Sequence, residues 1–311
     1  MTWREIRKNR MAYWFLAPTV VGMVFVHLLP IIQGIWLSFL ASRKDNLILY
    51  LKAPLPDNGV LGNYKDVLFD PHSPLHAGMM DAVRNTFWYA LLVTVGTTLA
   101  GLIGALLLNR KFAGRSVART LFLFPWIVPT YVVGLLWGFM WQQENGIVNI
   151  LLHDWLHLLP SKPQWLLGPN TLWAIIIPTI WRFWPYSMLM LLAGLQNIPG
   201  EVYEAAEIDG ASAWQKFRHI TFPLLRPVWS VLLLNGMLFN VYSFNIVIMM
   251  FGNGAGFPGK NGDLMMTAIF RNSFQMWDFG HGAAMSVLLM IVMLSLVVAW
   301  YRIFRKDLGS P

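Results

Sequence analysis

The chain has 311 residues, 56% of them hydrophobic and only 12% charged, where an ordinary soluble domain carries roughly 25% charged residues; this excludes a water-soluble globular protein and points to a membrane protein. A net charge of +8 would suit nucleic acid only if the basic residues shared one face, and here they are scattered between apolar runs. The absence of cysteine excludes a disulfide framework and any thiolate nucleophile or thiolate-bound metal.

Six apolar runs are long enough to cross a hydrocarbon core, which takes about 20 residues each. They are predicted at about 12–38, 87–108, 118–140, 172–194, 225–250 and 283–303, an all-α polytopic membrane protein with residues 1–311 forming a single transmembrane domain. Their connections fix an orientation. Arg4, Arg7, Lys8 and Arg10 precede the first span; Arg110, Lys111, Arg115 and Arg119 lie around the second connection. Lys216, Arg218 and Arg226 mark the fourth, and Arg302, Arg305 and Lys306 the tail. The connections 139–171 and 251–282 hold only Lys162, Lys260 and Arg271, so the positive-inside rule places both termini in the cytoplasm. Residues 41–86 are ambiguous, with five basic residues matched by five Asp. The first span lacks a small-residue cleavage site and is read as retained.

The connection 141–173 carries Trp141, Trp155, Trp165 and Trp173 beside "HDWLHLLP", a short amphipathic piece whose rings suit a membrane interface. His153 and His157 could share a helical face as metal ligands, but "HDWLH" lacks the Glu that follows the first His in the zinc-protease motif, and no metal site is assigned. "FGNGAGFPGKNGD" from Phe251 follows no nucleotide-binding strand and reads as an external loop. Pro125 and Pro129 in the third span, and Pro178 and Pro185 in the fourth, each free a helical carbonyl; kinks suit a transport path, although many membrane helices carry proline without function.

Ionisable side chains at membrane depth are expensive and tend to face protein or water. Arg182, in "TIWRFWPYSM", is such a residue, and Asn235, Asn240, Ser243 and Asn245 punctuate the fifth span at a comparable depth. Transporters put substrate sites there, while an interhelical hydrogen bond is the alternative role.

"EVYEAAEIDGASAWQKFRHITFPLLRP", residues 201–227, faces the cytoplasm by this topology. Pro199 and Gly200 open a helix whose first turns hold Glu201, Glu204 and Glu207, where the dipole favours carboxylates. Gly210 breaks it, and a second, more basic piece runs to Pro223. Such a helix-turn-helix is shaped to plug into a partner; a solvated acidic loop is the alternative.

The segment resembles the EAA motif of permease subunits of binding-protein-dependent ABC importers. Glu204, Ala205 and Ala206 are followed at the family spacing by Gly210, Ile220 and Pro223, with Phe222 in place of the usual Leu. The resemblance extends to "LGNYKDVL", "LLLNRKFAGRSVARTLFLFPWIVP" and "IWRFWPY", and is closest in wording to sugar importers of the maltose type, without the extra N-terminal spans and inserted external domain of the larger maltose subunit. It implies the type I importer permease fold in the bacterial cytoplasmic membrane. The implied partners are a second permease subunit, a dimeric ABC ATPase, an extracytoplasmic sugar-binding protein and membrane lipid, with no nucleic acid. Segment 199–223, with Glu204, Ala205, Ala206, Asp209, Gly210, Ile220 and Pro223, would couple to the ATPase. The chain has no Walker A pattern, so ATP and Mg²⁺ would belong to that partner, and no catalytic residue or cofactor is expected here. The family's sugar-contacting positions fall on Arg182, Phe183, Tyr186, Gly236, Phe239, Asn240 and Ser243; Gly236 lacks the family's hydroxyl and Ser243 replaces an amide. The expected function is import of an oligosaccharide or related carbohydrate by alternating access. A permease for a phosphorylated polyol, with Arg182 binding the anion, and a lipid-linked sugar transferase are the alternatives weighed.

Overall fold

The computed structural model describes residues 10–251 and 256–305. No strand occurs among them; a single β-bridge joins Arg43 and Asp278. Four helices are long and apolar enough to cross a membrane, and two bent pairs raise the number to six if each pair is one span. We label the helices α1 (Met11–Leu37), α2 (Gly62–Leu68), α3 (Pro74–Asn109), α4 (Arg115–Ile127), α5 (Thr130–Met140) and α6 (Thr171–Gln196). α7 (Gly200–Ile208), α8 (Ala213–Leu224), α9 (Arg226–Val241), α10 (Asn245–Met250), α11 (Met265–Phe270) and α12 (Phe279–Phe304) follow.

Two expected spans differ from a straight rod. The third is split at Val128–Pro129 into α4 and α5, which meet at 88°. Pro129 has no N–H to continue the ladder, and the residue before a proline is driven out of the α region; Val128 sits at ψ 128°. The fifth is entered through a 65° bend between α8 and α9 and ends at Val241, after which Tyr242–Phe244 breaks the helix before α10. Asn240 lies on the last turn before that break and Ser243 within it.

The chain forms two compact units. The first comprises residues up to 76 with 269–291. Here α1 is apolar on all sides and none of its most apolar stretch is buried. Beyond its end, Leu37, Leu40 and Ala53 pack with Phe279 and Ala283. Asn63 donates to the carbonyls of Ser38 and Leu40, both at 2.9 Å. Buried His281 lies between two carboxylates, Nδ1 2.9 Å from Asp278 and Nε2 3.2 Å from Asp66.

The second unit comprises residues 77–268 and 292 onward. Its backbone-to-backbone approaches are made at glycine, as in other membrane bundles. A Cβ on Gly101 of α3 would lie 2.8 Å from the Met188 nitrogen of α6, and one on Gly134 of α5 would lie 2.6 Å from the Ile246 oxygen of α10. One core gathers Tyr89, Val133, Ile175, Ile246 and Leu264; the other gathers Leu108, Met188, Leu191, Leu225 and Leu232. The connection 141–173 is knitted into the first of these. Trp141, predicted at the membrane interface, is buried and donates Nε1 to the Ala174 carbonyl at 3.0 Å. Trp165 stacks near it and donates to Asn149 Oδ1 at 2.8 Å. Trp155, by contrast, is exposed as an interfacial ring would be.

Candidate functional site

The breaks in the third and fifth spans open onto one cavity of about 470 Å³ inside the second unit, within the range of roughly 300–1,000 Å³ usual for ligand pockets. α9 gives Leu232, Asn235, Gly236, Phe239 and Asn240, spaced by three and four so that they share a face. The turn after it adds Tyr242, Ser243 and Phe244, and α10 adds Asn245 and Ile246. α6 presents Phe183, Tyr186 and Ser187, α3 gives Thr97, and the α4–α5 break gives Trp126 and Thr130. Six of these are aromatic and nine carry a neutral hydroxyl or amide, Tyr186 and Tyr242 being both. None of the sixteen described lining residues is Asp, Glu, Lys, Arg or His.

Six of the seven sequence-predicted substrate residues, Phe183, Tyr186, Gly236, Phe239, Asn240 and Ser243, line this cavity, and Arg182 does not. Asn240 and Ser243 have interhelical roles as well: Asn240 Nδ2 donates to Thr94 Oγ1 at 3.1 Å, and Ser243 Oγ is 2.8 Å from the Tyr89 hydroxyl. Gly236 has its own structural reason, since a Cβ there would lie 2.8 Å from the Thr94 methyl. Arg182 turns to the span break instead. Its Nη1 is 2.9 Å from the Trp126 carbonyl and also reaches those of Pro125, at 3.4 Å, and Val128, while Nη2 donates to Thr130 Oγ1 at 2.9 Å. Thr97, Trp126, Thr130, Ser187, Tyr242 and Phe244 were not singled out from sequence. The proline pair at 125 and 129 was the available signal for two of them, because a broken helix exposes the residues at its break.

The segment expected to couple to an ATPase forms the predicted helix-turn-helix. α7 carries Glu204, Ala205 and Ala206, all at least partly exposed, and ends at Asp209. Gly210 takes φ 77°, a left-handed turn that glycine adopts without strain. Ser212 then caps α8 in a reciprocal box with Gln215, at 2.7 and 3.3 Å. Ile220 and Pro223 follow on α8. Lys216 Nζ lies 2.6 Å from Glu207 Oε1 across the turn, and that hydrogen bond holds the Glu207 carboxyl below the usual carboxylate range. Ile208 and Trp214 stand 88% and 66% exposed beside the turn, apolar surface of the kind that a partner covers. On the 141–173 connection, His153 Nδ1 bonds Asp154 at 2.7 Å and His157 Nδ1 bonds the His153 carbonyl oxygen at 2.9 Å, so the two rings do not converge.

Residues 96–310 match the model of the binding-protein-dependent transport system inner membrane component. The chain belongs to that family. Among relatives, the permease is 31% identical to the trehalose/maltose transport system permease protein MalF of Thermococcus litoralis, over 97% of each chain. It is 30% identical to the sulfoquinovosyl glycerol transport system permease protein SmoG of Agrobacterium fabrum, over 98% of this chain and 94% of that one. The fold is that of a solved bacterial ABC transporter involved in the import of the acidic polysaccharide alginate, with TM-score 0.78 and 21% identity over 98% of both chains. The permease is therefore a multi-pass membrane subunit of a transporter and not an enzyme, and ATP hydrolysis belongs to a separate subunit.

Proposed function

We propose that this permease forms half of the pathway of an ATP-driven importer of a neutral oligosaccharide in the bacterial cytoplasmic membrane, working by alternating access. The observation that carries this reading is the chemistry of the cavity: aromatic faces from Trp126, Phe183, Tyr186 and Phe239 beside the amides of Asn235, Asn240 and Asn245. A sugar offers apolar C–H faces and hydroxyl edges, and such a lining answers both. The partners in this reading are a second permease subunit, a dimeric ABC ATPase carrying ATP and Mg²⁺, and an extracytoplasmic sugar-binding protein; the segment 199–223 meets the ATPase. The trehalose/maltose relative supports a saccharide cargo, whereas the sulfoquinovosyl glycerol and alginate transporters leave an acidic one open by kinship. The charge of the lining favours the neutral cargo. An anionic sugar or phosphorylated polyol brought into this cavity would leave water without a cationic side chain of this subunit lining it, a desolvation that costs several kcal/mol even after relaxation, and both terminal nitrogens of Arg182 already bond the α4–α5 break.

The test is uptake by the assembled importer in proteoliposomes with radiolabelled maltotriose, competed by unlabelled neutral and uronic-acid oligosaccharides and by glycerol phosphate. Neutral oligosaccharides are expected to compete and the two anionic classes to fail at tenfold higher concentration; preferential competition by either anion would refute the neutral-cargo reading.

A further inference from the structure

Arg182 is the cation that the sequence places at membrane depth, yet it does not line the cavity, and its surroundings say what it does instead. Within a helix the Pro125 carbonyl would accept the N–H of residue 129, but residue 129 is proline and has none. The Trp126 and Val128 carbonyls lose their partners where the chain turns through 88°. Orphaned carbonyls at membrane depth are tolerated only where protein or water satisfies them. Arg182, 9% exposed on α6, supplies the donors: Nη1 to Pro125, Trp126 and Val128, and Nη2 to the Thr130 hydroxyl. Trp126 and Thr130 are also the two residues by which this break reaches the cavity wall.

The consequence concerns Thr130. An arginine cannot accept a hydrogen bond, so in this pair Oγ1 is the acceptor and the hydroxyl hydrogen remains to be given elsewhere. That hydrogen meets no acceptor among the described residues, and the residue borders the cavity.

We propose that Arg182 is a positioning residue: it fixes the α4–α5 break and, by occupying the Thr130 oxygen, directs the Thr130 hydroxyl as a donor to an oxygen of the transported molecule. The clamp stands on geometry alone; the donor role rests on the carbohydrate reading above.

Because the chain contains no cysteine, a Thr130→Cys variant carries the sole thiol. In membranes holding the full chain, its alkylation by neutral iodoacetamide is followed from pH 5.5 to 9.5. A thiol beside a fixed cation ionises more readily, so the rate at pH 7 is expected to fall about threefold or more when Arg182→Gln is added, and to be largely kept with Arg182→Lys. Asn235→Cys, on the same cavity, is the control and should respond to neither change. If Arg182→Gln does not accumulate, the pH profiles of the two single-cysteine chains are compared directly, the one at 130 being displaced to lower pH. Superimposable profiles, an unreactive thiol at 130, or an equal response at 235 would overturn the clamp. For the donor role, the assembled importer is assayed with maltotriose: Thr130→Ser should retain the parent KM, and Thr130→Val should raise it about tenfold, as loss of a good hydrogen bond does, with maximal rate held. A Thr130→Val importer with the parent KM overturns the donor role, whereas a parent importer that takes up no maltotriose counts against the cargo and leaves the labelling result standing.

Discussion

A single phenylalanine shows how far the cavity's chemistry can be pressed. Phe239 lies on α9 one turn from Asn235 and beside Asn240, and its ring is 70% exposed although it borders the cavity. A ring held so openly contributes little to the core, so its value lies in the face that it offers. Aromatic contacts of this kind contribute about 0.5–1.5 kcal/mol beyond area burial. Phe239→Ala is therefore expected to raise the KM for maltotriose uptake by about two- to tenfold while leaving the thermal stability of the detergent-solubilised chain unchanged. Phe239→Tyr should restore most of the affinity. A drop in stability without a change in KM would assign the ring to packing.

At the scale of elements, the six apolar runs and the cytoplasmic helix-turn-helix were legible in the sequence, because hydropathy and capping chemistry act locally; the ends were less so, since the second spanning helix begins at Pro74 and not near 87, and the fifth stops at Val241. The Gly210 turn and the Ser212 box with Gln215 needed no information from elsewhere in the chain. The α4–α5 break was half legible. Pro125 and Pro129 announce freed carbonyls, but the 88° turn also depends on Arg182, fifty-three positions beyond Pro129, supplying donors at the break. No local pattern pairs those residues. For the same reason Trp141 read as an interfacial ring although it packs beneath α6, and Asn149, which ties the Gln143 and Pro163 carbonyls at 2.9 and 3.0 Å, carried no signal at all. Glycine gives a sharper expectation at this scale. A Cβ on Gly134 would sit 2.6 Å from the Ile246 oxygen and 2.7 Å from the Met249 Cβ, so even alanine must push α5 away from α10. Overpacking of this kind costs about 1–3 kcal/mol. Gly134→Ala should lower the unfolding midpoint by several degrees, whereas Gly22→Ala on α1, with nothing within 4 Å of the new carbon, should leave it in place. Equal midpoints for the two variants would remove the close approach from the account of this interface.

For the whole molecule, the central constraint is that a family member without a nucleotide site must receive its energy from outside. In the function proposed above the segment 199–223 is the grip, and its continuation offers a route by which a displacement would travel onward. Trp214 stacks on Phe217 at 5.6 Å, Phe217 lies 6.3 Å from Phe222, and Phe222 lies 5.6 Å from Trp229 on α9. α9 is the helix that carries Asn235, Gly236, Phe239 and Asn240 on the cavity wall. Trp214 and Phe222 are exposed, so the row runs along the surface of α8, and it would pass on a displacement by ring-to-ring contact once a partner covers it. Rigid rings thus join the helix beyond the Gly210 turn to the residues expected to hold the cargo. Two changes separate grip from transmission. Glu204→Ala with Gly210→Pro alters the helix surface and forbids the positive φ of the turn; it is expected to reduce binding-protein-stimulated nucleotide turnover in the reconstituted complex by about tenfold or more, a loss of roughly 1.4 kcal/mol in the coupled step. Phe222→Ala leaves the turn intact and opens the row, so nucleotide turnover should persist while the maltotriose carried per nucleotide falls. If Phe222→Ala instead lowers both in proportion, the rings belong to the grip itself, and the displacement reaches α9 through the backbone of α8.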